Sequence, residues 1–182
     1  WDNHDPYLYH AYVELKAEDG SLVEVIPYDI GLEEEIIDKI IYLNGKRLVI
    51  TGVNRHEWNP KTGRCIGLED MRADIACMLR NNINSVRTCH YPDQIPWYYM
   101  CDNAGIYVMA ETNLESHGFF PEIRGNRTIL QMCRDLSHSG KRLYLIVQVN
   151  NFETFKNHTS VLFWSLEMNL IGDDIEAMNV YF

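Results

Sequence analysis

Four short stretches gather side chains able to move protons, hold a cation or bind a polar ligand. They are "NRHE" at 54–57, "RTCHYP" at 87–92, "ETNLESHG" at 111–118 and "SLEMN" at 165–169. Each follows an apolar run. His56 and His90 bring imidazoles, the side chains best placed to exchange hydrogen bonds and protons near neutral pH. Taken alone, a histidine at a strand end is more often a hydrogen-bonded structural residue than a catalyst. Glu115 and His117, two positions apart, read on their own as a solvated pair rather than a metal site. Arg55 and Arg87 either orient a ligand or form structural pairs with carboxylates, and Arg87 is the one retained as a candidate substrate-binding residue.

The elements that must position these groups follow from periodicity. Residues 8–30 alternate loosely around "EDGS", two antiparallel strands joined by a turn. Asn44-Gly45 marks a hairpin. From there strands alternate with helices: strand 47–53, helix 67–82 with Met71, Ile75, Met78 and Leu79 at helical spacing, strand 83–90, helix 93–105 closed by Gly105, strand 106–111. A further helix is expected within 127–157, although "RLYLIVQV" there has the local propensity of a strand. A fourth strand is expected at 161–167, and "GDDIEAM" opens another helix. Trp97, Tyr98 and Tyr99 fall on a helix and read as packing, and Trp164 reads as core. Such alternation implies a parallel sheet with right-handed crossovers. No glycine-rich phosphate loop follows the first strand, and every strand ends in ionisable residues. This favours the first half of a (β/α)8 barrel, about four βα units, over an open doubly wound sheet.

Bulk composition agrees with a globular domain. The chain has 182 residues, 46% hydrophobic and 23% charged, so a packed core is expected rather than disorder. Sixteen basic against 26 acidic residues give −10, which argues against nucleic acid as a partner. No apolar run approaches a membrane span. The five cysteines form no CxxC pair, so free buried thiols in a reducing cytoplasm are expected. A chain opening at Trp1 reads as a piece of something longer.

The stretches "LNGKRLVITGVNRHEWNP", "NNINSVRTCHYPDQIPWYYMCDNAGIYVMAETNLESHG" and "NHTSVLFWSL" resemble the catalytic barrel of glycoside hydrolase family 2, in the form found in large bacterial β-galactosidases. The resemblance implies two parts: residues 1–38 as the last strands of an immunoglobulin-like β-sandwich, and 39–182 as the N-terminal half of a TIM-barrel catalytic domain. It also implies retaining hydrolysis of terminal β-D-galactosides by an enzyme that is a homo-oligomer at full length. Position by position, His56 and His90 match the histidines that stabilise the transition state, and Glu115 and His117 match magnesium ligands. All four are expected on one rim of the barrel.

The chain departs from the family after Leu166. Where the family reads Gly-Asn-Glu-Ser, this chain has Glu167-Met168-Asn169-Leu170. Ungapped, Asn169 falls on the acid/base, and Glu167 is the nearest carboxylate that could take the role. The family's nucleophile comes from a later strand, so the 182 residues alone are expected to be inactive and their magnesium site incomplete. The alternatives are a sugar- or metal-binding fragment without turnover, and another family 2 glycosidase such as a β-glucuronidase.

Overall fold

The computed structural model describes residues 1–37, 40–113 and 138–165. Strands β1 (Tyr9–Lys16) and β2 (Leu22–Ile30) pair antiparallel across a turn in which Gly20 takes a positive φ of 82°. Nearly every residue of this ribbon is exposed, Tyr12, Val13 and Val23 among them. Next come β3 (Glu35–Ile37), β4 (Ile41–Leu43) and β5 (Lys46–Arg47), a small antiparallel sheet. Asn44 and Gly45, at φ 49° and 73°, form the expected hairpin turn.

The principal sheet is parallel and four-stranded, with spatial order equal to chain order. It runs β6 (Gly52–Arg55), β7 (Ser85–Thr88), β8 (Tyr107–Glu111) and β9 (Val161–Ser165). Helices α1 (Leu68–Arg80), α2 (Ile95–Ala104) and α3 (His138–Phe155) form the crossovers. One sequence expectation changes, and the helix expected within 127–157 is present. The strand expected at 47–53 starts only at Gly52, since 48–51 leave the hairpin irregularly and expose Val49 and Ile50. "RLYLIVQV" is helix, because the crossover between two parallel strands overrides its local strand propensity.

Side-chain alternation divides the sheet into two faces. Val86, Val108 and Ala110 pack against Met71, Ile75 and Met78 of α1, Trp97, Tyr98 and Cys101 of α2, and Phe155 of α3. Leu79 is exposed instead of joining that stripe. Tyr99 is also exposed, whereas Trp97 and Tyr98 are fully buried and Trp164 packs beside Phe152 on the helix side. On the other face Tyr107 and Leu162 cluster with Trp1 and Leu43. Cys89 and Cys101 are buried free thiols as expected, but Cys65 and Cys77 are exposed. Cys65 sits in the loop before α1 and Cys77 on the solvent face of α1, and these positions outweigh the burial preference of cysteine.

Arg55, at the end of β6, lies on the helix side. Its Nε donates to Asp74 of α1 at 3.0 Å, its Nη1 to Asp93 at 2.6 Å, and its guanidinium stacks 3.8 Å over the Trp97 ring. One cation thus ties β6 to the first two helices, the structural alternative for this residue. Asp93 has a fully buried side chain. Burial pushes its carboxyl up to about 7, nearby Glu57 adds to the shift, and Arg55 opposes it.

Two predictions follow from this packing. A folded-state value near 7, above the unfolded value of about 3.9, means that the fold binds the Asp93 proton more tightly. The stability this group contributes is full below about pH 4 and is lost as pH rises through about 7. Asp93→Asn should therefore flatten the dependence of Tm on pH over that interval, and an unchanged slope would contradict the assignment. Gly105 caps α2 at φ 69°, and an added Cβ would sit 2.9 Å from the Asn3 Cα. Gly105→Ala should destabilise by about 1–3 kcal/mol in chemical denaturation.

Candidate active site

The C-terminal ends of β6, β7, β8 and β9 lie on one rim, where barrels assemble their chemistry. Period-two alternation puts Asn54, Arg87, Glu111 and Ser165 on the face away from the helices. Glu111 is fully buried and forms the centre of this rim. Its Oε2 accepts from Arg87 Nε and from Ser165 Oγ at 2.7 Å, and its Oε1 lies 2.8 Å from His90 Nδ1. Its own backbone N–H donates to Thr88 Oγ1 at 2.9 Å. A carboxylate only accepts, so Nδ1 of His90 carries the proton of that bond, and among the described residues Nε2 has no partner. Arg87 also donates from Nη1 to Asn54 Oδ1 at 3.2 Å.

The loops beyond β6 and β7 are fastened to each other. Cys89 N–H donates to the Arg55 carbonyl at 3.0 Å, prolonging the strand pairing by one residue. Glu57 N–H donates to the Tyr91 hydroxyl at 3.1 Å, and Gln94 N–H donates back to Glu57 Oε1 at 3.0 Å. As a result His56 and His90, distant in sequence, meet edge to face with ring centroids 5.3 Å apart, and Tyr91 lies 6.1 Å from His56. His56 is exposed, whereas the His90 side chain keeps only 17% of its accessibility. The arrangement offers a ligand two imidazoles at a solvent-facing edge, one backed by a buried carboxylate and an arginine. It suits neutral molecules rich in hydroxyls.

Of the residues singled out from the sequence, His56, His90 and Arg87 come together here. Glu115, His117 and Glu167, with Met168 and Asn169, lie outside the described residues. Glu111 had drawn no role from the sequence. A carboxylate closing an otherwise apolar strand, three strands into a barrel, was the signal available for it. A separate cleft of about 540 Å³ opens at the other end of the sheet, lined by Lys46, Arg47, Thr51, Asn84 and Tyr107 among others. It lies at strand starts, the end barrels use for stability rather than chemistry.

The family profile "Glycosyl hydrolases family 2, TIM barrel domain" matches residues 35–182. Along its whole length the chain is 53% identical to the beta-galactosidase large subunit of Lactobacillus acidophilus and 43% identical to the beta-galactosidase of Halalkalibacterium halodurans. It spans 29% and 18% of those proteins, so it corresponds to less than a third of the curated relatives it matches. A solved β-glucuronidase of Ruminococcus gnavus in complex with D-glucuronic acid superposes with a TM-score of 0.79 at 24% identity. That match covers 98% of this chain and 29% of the other, and it shows a shared fold. A parallel sheet in chain order, a rim of paired imidazoles and a profile match over most of the length agree: the chain belongs to glycosyl hydrolase family 2, within that family's TIM-barrel domain.

Proposed function

We propose that the intact protein containing this chain is a retaining β-galactosidase, with His56 and His90 binding the sugar at the rim. The observation that carries this reading is the 53% identity, over every residue of the chain, to a beta-galactosidase large subunit. Residues 1–38 are read as the end of an immunoglobulin-like sandwich and 39–182 as half of the barrel. The exposed apolar ribbon of β1 and β2, which has the form of strands from a larger sheet, supports that division. The full protein is read as a cytoplasmic homo-oligomer. No helix among the described residues is long and apolar enough to cross a membrane.

In this mechanism the residues of the rim bind and orient. His90, held through Nδ1 by Glu111, presents Nε2 to a sugar hydroxyl, and His56 supplies a second imidazole. Such bonds shorten as the ring flattens toward the oxocarbenium ion, which lowers the barrier. Arg87 spends Nε on Glu111 and Nη1 on Asn54, and its Nη2 lies 3.5 Å from His90 Nδ1, so it serves the substrate by holding these groups in place. The acid that protonates the departing oxygen is assigned to Glu167. Its partner carboxylate belongs about 5–5.5 Å away, beneath the anomeric carbon.

Magnesium is assigned to Glu115 and His117. Glu111 already shares both oxygens with Arg87, His90 and Ser165, which makes it a poor metal ligand, and Glu115 and His117 are the carboxylate and imidazole that follow it in the chain. One carboxylate oxygen and one imidazole fit a hard ion that retains several waters. Held by these two residues, the ion would supply positive charge to the site.

Turnover of nitrophenyl β-galactoside by the intact protein tests the reading, with nitrophenyl β-glucuronide as comparison. The galactoside should be hydrolysed with net retention; preference for the glucuronide would favour the alternative glycosidase. In the same assay Glu111→Gln should lower kcat/KM roughly 10–100-fold, the usual cost when the group orienting an imidazole is lost. Wild-type turnover in that variant would remove Glu111 from its positioning role.

A further inference from the structure

The two imidazoles assigned to the sugar also belong to a second donor set, completed by a thiol that sugar binding does not use. A ring nitrogen of His56, a ring nitrogen of His90 and the sulfur of Cys89 all lie within 4.8 Å of one another. We propose that this trio is a binding site for a borderline transition-metal dication such as Zn2+, distinct from the hard-ion site assigned to Glu115 and His117. Where the proposed galactosidase reading holds, an ion bound there blocks the sugar.

Donor chemistry makes the first part of the case. Two imidazoles and a thiolate select zinc, cobalt or copper, whereas Mg2+ prefers oxygen ligands in an octahedral shell. Second, His90 is already prepared as a metal ligand. Its Nδ1 bonds the buried Glu111 carboxylate at 2.8 Å, the carboxylate–histidine arrangement that fixes the tautomer and raises the basicity of a ligating ring. Third, access and adjustment are at hand. His56 is exposed, and donors sharing one zinc stand about 3.5 Å apart, so the trio closes by roughly 1 Å, within the swing of a free side chain. The Cys89 thiol donates to the Arg55 carbonyl at 3.4 Å. On binding, the metal–sulfur bond replaces the S–H bond and the proton leaves to solvent. A fourth position stays open to water, as in three-ligand zinc sites.

The functional consequence rests on geometry alone. His56 and His90 cannot bind a metal and a sugar hydroxyl through the same nitrogen, so the ion and the substrate exclude each other.

The test is calorimetry of the intact protein with ZnCl2 in the presence of MgCl2, together with absorption spectra after Co2+ addition. Zinc should bind despite magnesium, and cobalt should give a thiolate-to-metal charge-transfer band. Cys89→Ala should abolish the component of that band due to this site and weaken zinc binding roughly tenfold or more. The exposed Cys65 and Cys77 remain in that variant, so the lost signal belongs to the trio. His56→Gln, at an exposed position where folding is not in question, should weaken zinc binding similarly while keeping a thiolate ligand. Zinc affinity unchanged in either soluble variant would overturn the inference, as would displacement of zinc by magnesium. Zinc binding that follows these variants in a protein without galactosidase turnover would support this site and refute the function proposed above. In an active protein, inhibition by zinc should be competitive with galactoside; inhibition independent of galactoside concentration would overturn the exclusion of sugar by metal.

Discussion

A carboxylate with no exposed surface must have its oxygens satisfied, because a buried unpaired charge costs several kcal/mol. Glu111 meets that condition only by drawing a donor from each neighbour: Arg87 and His90 from β7 and its loop, Ser165 from β9. The requirement fixes three things together. It sets where β8 ends relative to β7 and β9, it holds the Arg87 fork, and it chooses the tautomer of His90. Were the carboxylate free in water, each of these pairs would be weak and salt-sensitive. Burial makes the arrangement compulsory, so the rim is organised before any ligand arrives.

A second buried charge set does the corresponding work on the helix side. Arg55 is adjacent in sequence to His56 but faces the opposite way, into Asp74, Asp93 and the Trp97 ring. Because successive strand residues alternate faces, anchoring Arg55 among the helices carries the chain outward at the rim, where His56 follows. The Cys89-to-Arg55 backbone bond then brings the two histidine loops together. The two networks meet at the Tyr98 hydroxyl, which accepts from the Asp93 N–H and also bonds Thr88, whose Oγ1 accepts from the Glu111 N–H. Both act on the same pair of imidazoles. The Glu111 network orients His90, and the Arg55 network sets the path of the chain leading to His56.

Much of this was legible in the sequence. Hydrophobic period and glycine placement located the strand–helix alternation, the Asn44-Gly45 hairpin and the Gly105 stop, since each rests on local backbone chemistry. Polar clusters after apolar strands pointed to the rim and to His56, His90 and Arg87. Less legible were features decided by tertiary contacts. The first barrel strand begins five residues later than its apolar run because the run is shared with the hairpin exit. "RLYLIVQV" is helical because a parallel crossover needs a helix there, which no window of that composition reveals. Glu111 is central because three strands meet around it, a relation between residues far apart in the chain.

The central claim is that the imidazole pair at the strand C-termini, organised by Glu111, is where the sugar binds. A crystal structure of the intact protein soaked with galactose tests it most directly. The account predicts the sugar at this rim, with a hydroxyl within hydrogen-bonding distance of His90 Nε2 and another polar group against His56. Galactose bound in the cleft at the strand starts, or elsewhere with both histidines facing only solvent, would contradict it.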